Sequence, residues 1–238
     1  MSGKDKLRKF RENTEFTSLY QPTLDTILNS DYELKGKWNT NVFKNDNPIV
    51  LELGCGKGEY TVALSQKFPD KNFIGIDIKG ARLWKGAKFA HENKLKNVAF
   101  IRTRIDFITS FFAENEISEI WITFADPQLK RSRKRLTGIM FLNKYKKILK
   151  PNGIIHLKTD SRFLHEYTLA LAVQNNFKII ESNSDIYGSN RADDILSIKT
   201  FYELQFLEHG FAITYLAFCL NNETTFKEPV WEKDKYDR

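Results

Sequence analysis

Short apolar runs alternate with longer segments of mixed polarity between residues 49 and 219. The runs are rich in β-branched and aromatic residues, which predicts seven strands. The predicted strands are Ile49–Leu53, Asn72–Ile76, Val98–Arg102, Glu119–Phe124, Gly153–Lys158, Lys178–Glu181 and Ala212–Cys219. The predicted helices between them are Gly58–Phe68, Gly80–Asn93, Phe107–Asn115, Leu136–Leu149 and Ser161–Gln174. This alternation predicts an α/β fold with a mostly parallel seven-stranded sheet, helices on both faces and an antiparallel last strand.

The alternation also predicts how the chain is divided. Residues 49–220 are expected to form the main domain, and residues 1–48, which lack the alternation, an N-terminal extension. Residues 221–238 are expected to be a C-terminal tail. Residues 182–198 are polar and rich in turn formers, so we expect a flexible loop there.

Positive charge is concentrated in one part of the chain. The whole chain has 37 Lys and Arg against 30 Asp and Glu, a net charge of +7. Residues 127–159 contain no acidic residue and ten basic ones, namely Lys130, Arg131, Arg133, Lys134, Arg135, Lys144, Lys146, Lys147, Lys150 and Lys158. A smaller basic cluster comprises Lys4, Lys6, Arg8, Lys9 and Arg11. Such a run is either a solvated face or a contact surface for a polyanion.

Several classes of protein are disfavoured by the sequence. The two cysteines, Cys55 and Cys219, cannot build a disulfide framework, and no Cys/His spacing indicates a zinc site. The basic N-terminus has no apolar stretch behind it, so it is not a secretory signal. The most apolar run, Phe211–Leu220, is too short to span a bilayer. We therefore expect a cytoplasmic protein with no metal and no membrane partner.

A glycine-rich loop follows the first predicted strand. Glu52 stands two residues before Gly54; Gly56 and Gly58 follow, and Asp77 comes at the end of the next strand, 19 residues beyond Gly58. A tight turn alone explains the glycines, but an acid at that distance is the usual acceptor for ribose hydroxyls. The spacing is G-x-G-x-G, unlike the dinucleotide pattern, and a carboxylate before the loop suits an ammonium group better than phosphates. Lys57 could instead contact a phosphate, so a dinucleotide-binding enzyme remains an alternative.

Acidic residues also follow the fourth and fifth predicted strands, at Asp126 and Asp160. Ligands bind beyond the carboxyl ends of strands in open α/β sheets, which makes both residues candidates for the reaction site. Each also has a local interpretation, since Asp126-Pro127 forms turns readily and Thr159 or Asp160 could cap the next helix. The Thr200-x-x-Glu203 spacing matches a helix capping box.

Taken together, Asp126-Pro127-Gln128-Leu129-Lys130 with its basic continuation, Thr159-Asp160 and Thr200-x-x-Glu203 resemble the tRNA (guanine-N7-)-methyltransferase family. The resemblance implies a Rossmann-like class I methyltransferase that binds S-adenosylmethionine and acts on tRNA as a monomer or homodimer. It implies that Glu52, Asp77 and Asp126 bind the cofactor and that Asp126 serves catalysis. The RNA contacts it implies are Lys130, Asp160 and the segment Thr200–Glu203. The usual target is the guanosine at position 46, in the variable loop.

The sequence departs from the family pattern at several positions. Ala125 and Gln128 stand where Pro and Trp or His are common, and the basic segment is about two residues shorter. Arg104 stands where Asn or Asp is usual, so we expect the adenine contact either from backbone groups at Arg104–Ile105 or from Asp106. Arg131 and Arg133 are expected to contact tRNA phosphates. A methyltransferase for another nucleic-acid position and a non-catalytic tRNA-binding domain remain as alternatives.

Overall fold

The computed structural model of the protein describes residues 3–221 and 225–230. Its strands form one eight-stranded sheet in the order β1-β4-β3-β2-β5-β6-β8-β7. The strands are β1 Leu19–Tyr20, β2 Ile49–Leu53, β3 Asn72–Asp77, β4 Val98–Arg102, β5 Ile117–Thr123, β6 Leu149–Thr159, β7 Lys178–Asn183 and β8 Thr214–Cys219. All neighbouring pairs from β1 to β6 are parallel, and β8 is antiparallel to both β6 and β7.

Helices cover both faces of this sheet. The α-helices are α1 Gly3–Glu12, α2 Leu24–Asn29, α3 Glu59–Lys67, α4 Gly80–Glu92, α5 Ile108–Phe111, α6 Ile139–Ile148, α7 Arg162–Gln174 and α8 Phe201–Glu208. One buried apolar cluster joins the sheet to α5, α6 and α7, and a second joins it to α3 and α4. Every residue of β2 is buried, as expected for a parallel strand covered on both sides. The predicted α/β class with an antiparallel last strand is confirmed.

The strand count differs from the prediction, because an eighth strand lies at the edge of the sheet. Leu19 and Tyr20 form β1, which pairs in parallel with Phe100 and Ile101 of β4. A two-residue strand has no alternating pattern that could be recognised in the sequence. Its position protects the backbone of β4, which would otherwise be an open edge.

The residues before β2 share the core with the sheet. Trp38 is completely buried in a π-helical turn, Trp38–Phe43, and its indole Nε1–H donates to the carbonyl oxygen of Phe111 at 2.9 Å. The predicted boundary at residue 48 stays a prediction. Residues 1–2, and residues 222–224 and 231–238 of the predicted tail, lie outside the described residues.

Further segments differ from their predictions. The helix expected at Phe107–Asn115 is limited to Ile108–Phe111. The helix expected at Leu136–Leu149 begins only at Ile139, because Gly138 is extended and forms its N-cap. In the region 182–198, which was expected to be a flexible loop, the first residues continue β7 to Asn183. The rest of the region is anchored by the buried side chains of Ile186 and Leu196. Of the helices in the described parts of the chain, none is long and apolar enough to cross a membrane.

Candidate active site and cofactor cleft

The glycine-rich loop leaves β2 in a conformation that only glycine adopts easily. Gly54, Gly56 and Gly58 have φ angles of 76°, 55° and 69°, all in the left-handed region. A Cβ on Gly58 would lie 2.5 Å from a ring carbon of the buried Phe100, so close packing of α3 onto the sheet also requires glycine there. The loop therefore turns sharply into α3 at the carboxyl edge of the sheet.

Asp77 connects this loop to the next strand. Its Oδ2 accepts the backbone N–H of Gly56 at 3.0 Å, and its Oδ1 accepts the N–H of Lys79 at 2.7 Å. Since an ionised carboxylate has about four lone-pair sites, acceptor capacity remains for a ligand. Asp77 thus orders the loop and still faces the space beside it.

Glu52 is buried beneath the loop, next to the last residue of β2. Its Oε1 accepts the hydroxyl of Thr123 at 2.6 Å, and its Oε2 accepts both the hydroxyl and the backbone N–H of Thr61, the latter at 2.8 Å. Burial raises the pKa of Glu52 to about 7, although these hydrogen bonds act in the opposite direction. The carboxyl is thus held in one orientation, and its burial favours the neutral form.

A cavity of about 420 Å³ opens beside Asp77. Of the predicted cofactor residues, Gly54, Asp77, Arg104 and Ile105 line it. The other lining residues are Ile78, Thr103, Asp106, Gln128, Lys134, Leu136 and Phe141. Glu52, Gly56, Gly58 and Asp126 do not line the wall, but Gly56 and Asp126 each bind a residue that does. Both candidates for the adenine contact, Arg104–Ile105 and Asp106, therefore face the same cavity.

Asp126 lies in a tight turn after β5. Its Oδ1 accepts the backbone N–H of Gln128 at 2.9 Å, so the predicted Asp-Pro turn is present. Phe124 and Gln128, on either side, both have a φ of 51°. The turn exposes the Asp126 side chain and directs Gln128 to the cavity wall. Asp126 is therefore one hydrogen bond away from a residue of the cavity wall.

The basic residues that follow Asp126 differ in their exposure to solvent. Lys130, Arg131 and Arg133 are exposed around a 3₁₀ turn, Ser132–Lys134, as expected for a phosphate-binding rim. Arg135, which belongs to the same basic run, is buried. Its Nε–H donates to the carbonyl oxygen of Pro127 at 3.0 Å.

The remaining basic residues of the run do not form one surface. Lys158 is fully buried, while Lys146, Lys147 and Lys150 lie toward the opposite edge of the sheet, at the end of α6 and the start of β6. The charge of this segment is therefore spread over both edges and the interior, because α6 runs the full depth of the sheet between the two ends of the run. Nothing in the charge pattern distinguishes these positions.

Asp160 and Thr200 lie at the same edge as Asp126, at the end of β6 and before α8. Burial raises the pKa of Asp160, which lines a separate cavity of about 900 Å³ together with His165 and Phe211. Neither Thr159 nor Asp160 caps α7, since the N-cap is Ser161, whose hydroxyl accepts the N–H of Leu164. The capping box at Thr200 and Glu203 is present as predicted.

Glu203 is completely buried in a network that the sequence did not indicate. Its carboxylate lies 2.7 Å from the Lys158 ammonium, which is equally buried, and accepts the Tyr187 hydroxyl at 2.7 Å. The first N–H of α8, that of Phe201, donates to Glu59 at the start of α3 at 2.8 Å. The Thr200–Glu203 segment thus joins β6 to the helix behind the glycine loop, and its contact with RNA stays a prediction.

The described part of the chain offers no candidate for a metal centre. Within residues 3–221 and 225–230, no three His, Cys, Asp or Glu side chains are grouped so that they could hold an ion. The carboxyl of Asp77 lines the cavity, those of Glu52 and Asp126 lie next to it, and that of Asp160 lies in the separate cavity. Such a set suits the binding of hydroxyl and cationic groups.

Comparisons with known proteins support this description. Residues 46–216 match the methyltransferase family model Methyltransf_4. A tRNA (guanine-N(7)-)-methyltransferase of Christiangramia forsetii is 57% identical over 92% of this chain and 99% of its own length. The same-named protein of Bacteroides fragilis is 51% identical over 95% of this chain and 90% of its own.

Solved structures agree with the fold. The 16S rRNA methyltransferase KamB superposes with a TM-score of 0.60 at 12% identity, over 76% of this chain and 92% of its own. A 16S rRNA (adenine(1408)-N(1))-methyltransferase mutant from Catenulisporales acidiphilia, solved with its cosubstrate SAM, gives 0.58 at 12% identity, over 81% and 94%. The match to the family model, the extent of the sequence identity and the geometry of the cleft lead to one conclusion: the chain belongs to the tRNA (guanine-N(7)-)-methyltransferase family.

Proposed function

We propose that this protein transfers a methyl group from S-adenosylmethionine to N7 of a guanosine in tRNA, with position 46 of the variable loop as the target. The observation that carries the proposal is the turn at Asp126, whose exposed carboxylate binds Gln128 of the Asp77 cavity wall and is followed by the exposed cations Lys130, Arg131 and Arg133. The names of the relatives support the same substrate. A tRNA substrate places the activity in the cytoplasm.

The cleft fits an adenosine-bearing cofactor with an ammonium group. Asp77 keeps acceptor capacity for ribose hydroxyls, and Arg104–Ile105 or Asp106 would receive the adenine. The buried Glu52 carboxyl orders the floor of the cleft and suits the ammonium group, directly or through water. When bound, S-adenosylmethionine supplies an electrophilic methyl group on its sulfonium.

The residues at the cleft suit methylation of a ring nitrogen that needs no deprotonation. Guanine N7 has a free lone pair, so no general base is required, and the product is a cationic purine. Asp126 would orient the base and stabilise the positive charge that develops on it. Asp160 lies at the same edge and would contribute to the same field. Most of the rate enhancement would come from alignment of N7 with the methyl group.

The exposed cations after Asp126 would position the substrate. Lys130, Arg131 and Arg133 lie next to the turn, where phosphates of a bound tRNA must pass. Phosphate contacts fix orientation without reading sequence, so selectivity would come from RNA shape and from the target base being turned out of its stack.

The proposal is tested by transfer of a labelled methyl group to unmodified tRNA, followed by aniline cleavage at m7G. We expect incorporation and cleavage at one guanosine in the variable loop. Incorporation at another position would indicate a methyltransferase of different specificity. Binding of tRNA without incorporation would indicate a domain that keeps the fold but not the activity.

A further inference from the structure

The N-terminal basic cluster, which the proposed function does not use, forms a layer on α4. The guanidinium of Arg8 and the ammonium groups of Lys9 and Lys88 lie 5.0, 4.8 and 5.1 Å from the ring of Trp84. The indole Nε1–H of Trp84 donates to Glu12 at 2.6 Å. These contacts hold α1 against α4 and fix where its charges lie.

The surface of this two-helix layer has an excess of basic residues, although Arg8, Lys9, Lys85 and Lys88 each lie next to a carboxylate. From Asp5 onward, α1 and α4 together present seven Lys and Arg against three Asp and Glu. Lys6, Arg11 and Lys85 are exposed. Such an excess on one face is what a polyanion partner requires.

The layer reaches the carboxyl edge of the sheet, where the cleft lies. The carbonyl oxygen of Gly80, at the start of α4, accepts the side-chain N–H of Asn13 at 2.9 Å. Gly80 is only three residues beyond Asp77, whose carboxylate borders the cofactor cavity. Arg11, near the end of α1, and Arg82, in the first turn of α4, are therefore close to the mouth of the cleft.

Cations and aromatic rings are interleaved between this layer and α8. The Lys57 ammonium lies 3.3 Å from the ring centre of Phe201, and the Arg82 guanidinium lies 5.5 Å from that of Tyr202. Burial lowers the pKa of Lys57, and the positive charges of Lys85, Arg82 and Lys9 lower it further, although Glu59 acts in the opposite direction. Positive charge thus converges beside the glycine loop, among rings on which bases can stack.

This basic layer and the rim after Asp126 lie on opposite faces of the sheet. Lys130–Arg133 leads into α6, which packs on the face that carries α5 and α7, whereas α4 packs on the face that carries α3. We propose that α1 and the first half of α4 form a second tRNA-binding surface, so that phosphates on both sides of the target nucleotide are held across the edge of the sheet. This inference rests on the proposed function.

A charge-matched pair of double variants tests the inference. Arg11→Ala/Arg82→Ala removes two cations from the layer, and Lys150→Ala/Lys178→Ala removes two exposed cations at the starts of β6 and β7, the opposite edge. The two edges are about 20 Å apart for strands of this length, which exceeds the Debye length of about 10 Å at 0.1 M salt. Both variants have the same net charge, so any effect of overall charge on tRNA binding is the same in the two.

We expect Arg11→Ala/Arg82→Ala to raise the KM for tRNA by about tenfold and to lower the slope of log affinity against log salt by about 1.5, at unchanged kcat. The control should stay within about twofold of the wild type. Equal behaviour of the two variants, with normal m7G formation by the wild type, would overturn the second surface and leave the proposed function intact. Absence of m7G formation by the wild type would instead refute the proposed function, and this inference with it.

Discussion

Arg135 binds the carbonyl oxygen of Pro127 at 3.0 Å, directly behind the residue expected to serve catalysis. A second bond reaches the carbonyl oxygen of Gln128 at 3.2 Å, and the guanidinium stacks on Tyr167 of α7 at 4.0 Å. A planar group with several donors is needed to make these contacts together. Arg135 therefore positions the Asp126 turn rather than the RNA.

This arrangement predicts that Arg135→Lys impairs turnover and not RNA binding. A lysine cannot bind both carbonyl groups and stack on the ring, so the turn loses its fixed geometry. A misplacement of about 1 Å can cost about 10²-fold in rate, and we expect kcat to fall toward that extent. Steady-state kinetics with tRNA at several salt concentrations measure this.

The comparison variant is Arg131→Ala/Arg133→Ala, in which only exposed cations are removed. It should weaken binding to all tRNAs and lower the salt slope by up to about 1.8, while Arg135→Lys leaves that slope unchanged. If Arg135→Lys flattens the slope as well, its guanidinium contacts phosphate and the positioning role is wrong.

Substitutions of Asp126 separate its charge from its place in the turn. Asp126→Asn keeps an oxygen that can accept the N–H of Gln128, whereas Asp126→Ala removes both the charge and that bond. If the charge stabilises the developing cation, both variants should lose about 10² to 10³ in kcat with little change in tRNA affinity. Near-normal turnover of Asp126→Asn would show that the turn, and not the charge, is what matters.

The pKa of Glu52 predicts a pH dependence of stability. The pKa rises from an ordinary value of 4.5 to about 7 on folding, so the folded protein without cofactor binds the proton more tightly than the unfolded chain. The stabilisation of the folded state that results is fully present below about pH 4.5 and is lost as the pH rises through 7. The free energy of unfolding falls by at most about 3 kcal/mol over this range. The glutamine of the Glu52→Gln variant does not titrate, so the stability of this variant should not show the decline.

Denaturant unfolding of both proteins between pH 5 and 8 measures the effect. The same variant should bind S-adenosylhomocysteine more weakly in titration calorimetry, because a neutral amide suits an ammonium group less well. Parallel stability curves for wild type and variant would mean that Glu52 ionises normally in the folded state.

Two alanine substitutions in the glycine loop should impair the protein in different ways, one mainly in stability and the other also in cofactor binding. Both Gly54 and Gly58 have positive φ, which costs an alanine about 1 to 2 kcal/mol. A Cβ on Gly58 also meets the Phe100 ring, whereas one on Gly54 meets no atom within 4 Å. We expect Gly58→Ala to lose about 3 kcal/mol of stability. Gly54→Ala should lose about 1 kcal/mol of stability, but also cofactor affinity, because Gly54 lines the cavity.

Unfolding curves and calorimetry on the two glycine variants distinguish these effects. Equal losses of stability would show that Phe100 moves aside at little cost. Unchanged cofactor affinity in Gly54→Ala would place the cofactor elsewhere than in the Asp77 cavity.

The sequence predicted that several candidate residues meet at one edge of the sheet, because these residues follow strands. Glu52, Asp77 and Asp126 lie in or directly after parallel strands, and the carboxyl ends of such strands meet at one edge. It could not separate Arg135 from its exposed neighbours, because burial of a cation depends on rings in α7 that arrive from elsewhere in the chain. The same holds for Lys158 and Glu203, whose pairing across 45 residues has no local pattern.

The short strand β1 has a consequence for how far the chain can be shortened. Its pairing with Phe100 and Ile101 covers the outer backbone of β4, and Trp38 fills the core nearby. A truncated chain starting at residue 49 would retain every predicted strand and yet present a bare, apolar edge to other molecules. We expect such a fragment to self-associate and precipitate, since an uncovered strand is a template for intermolecular pairing.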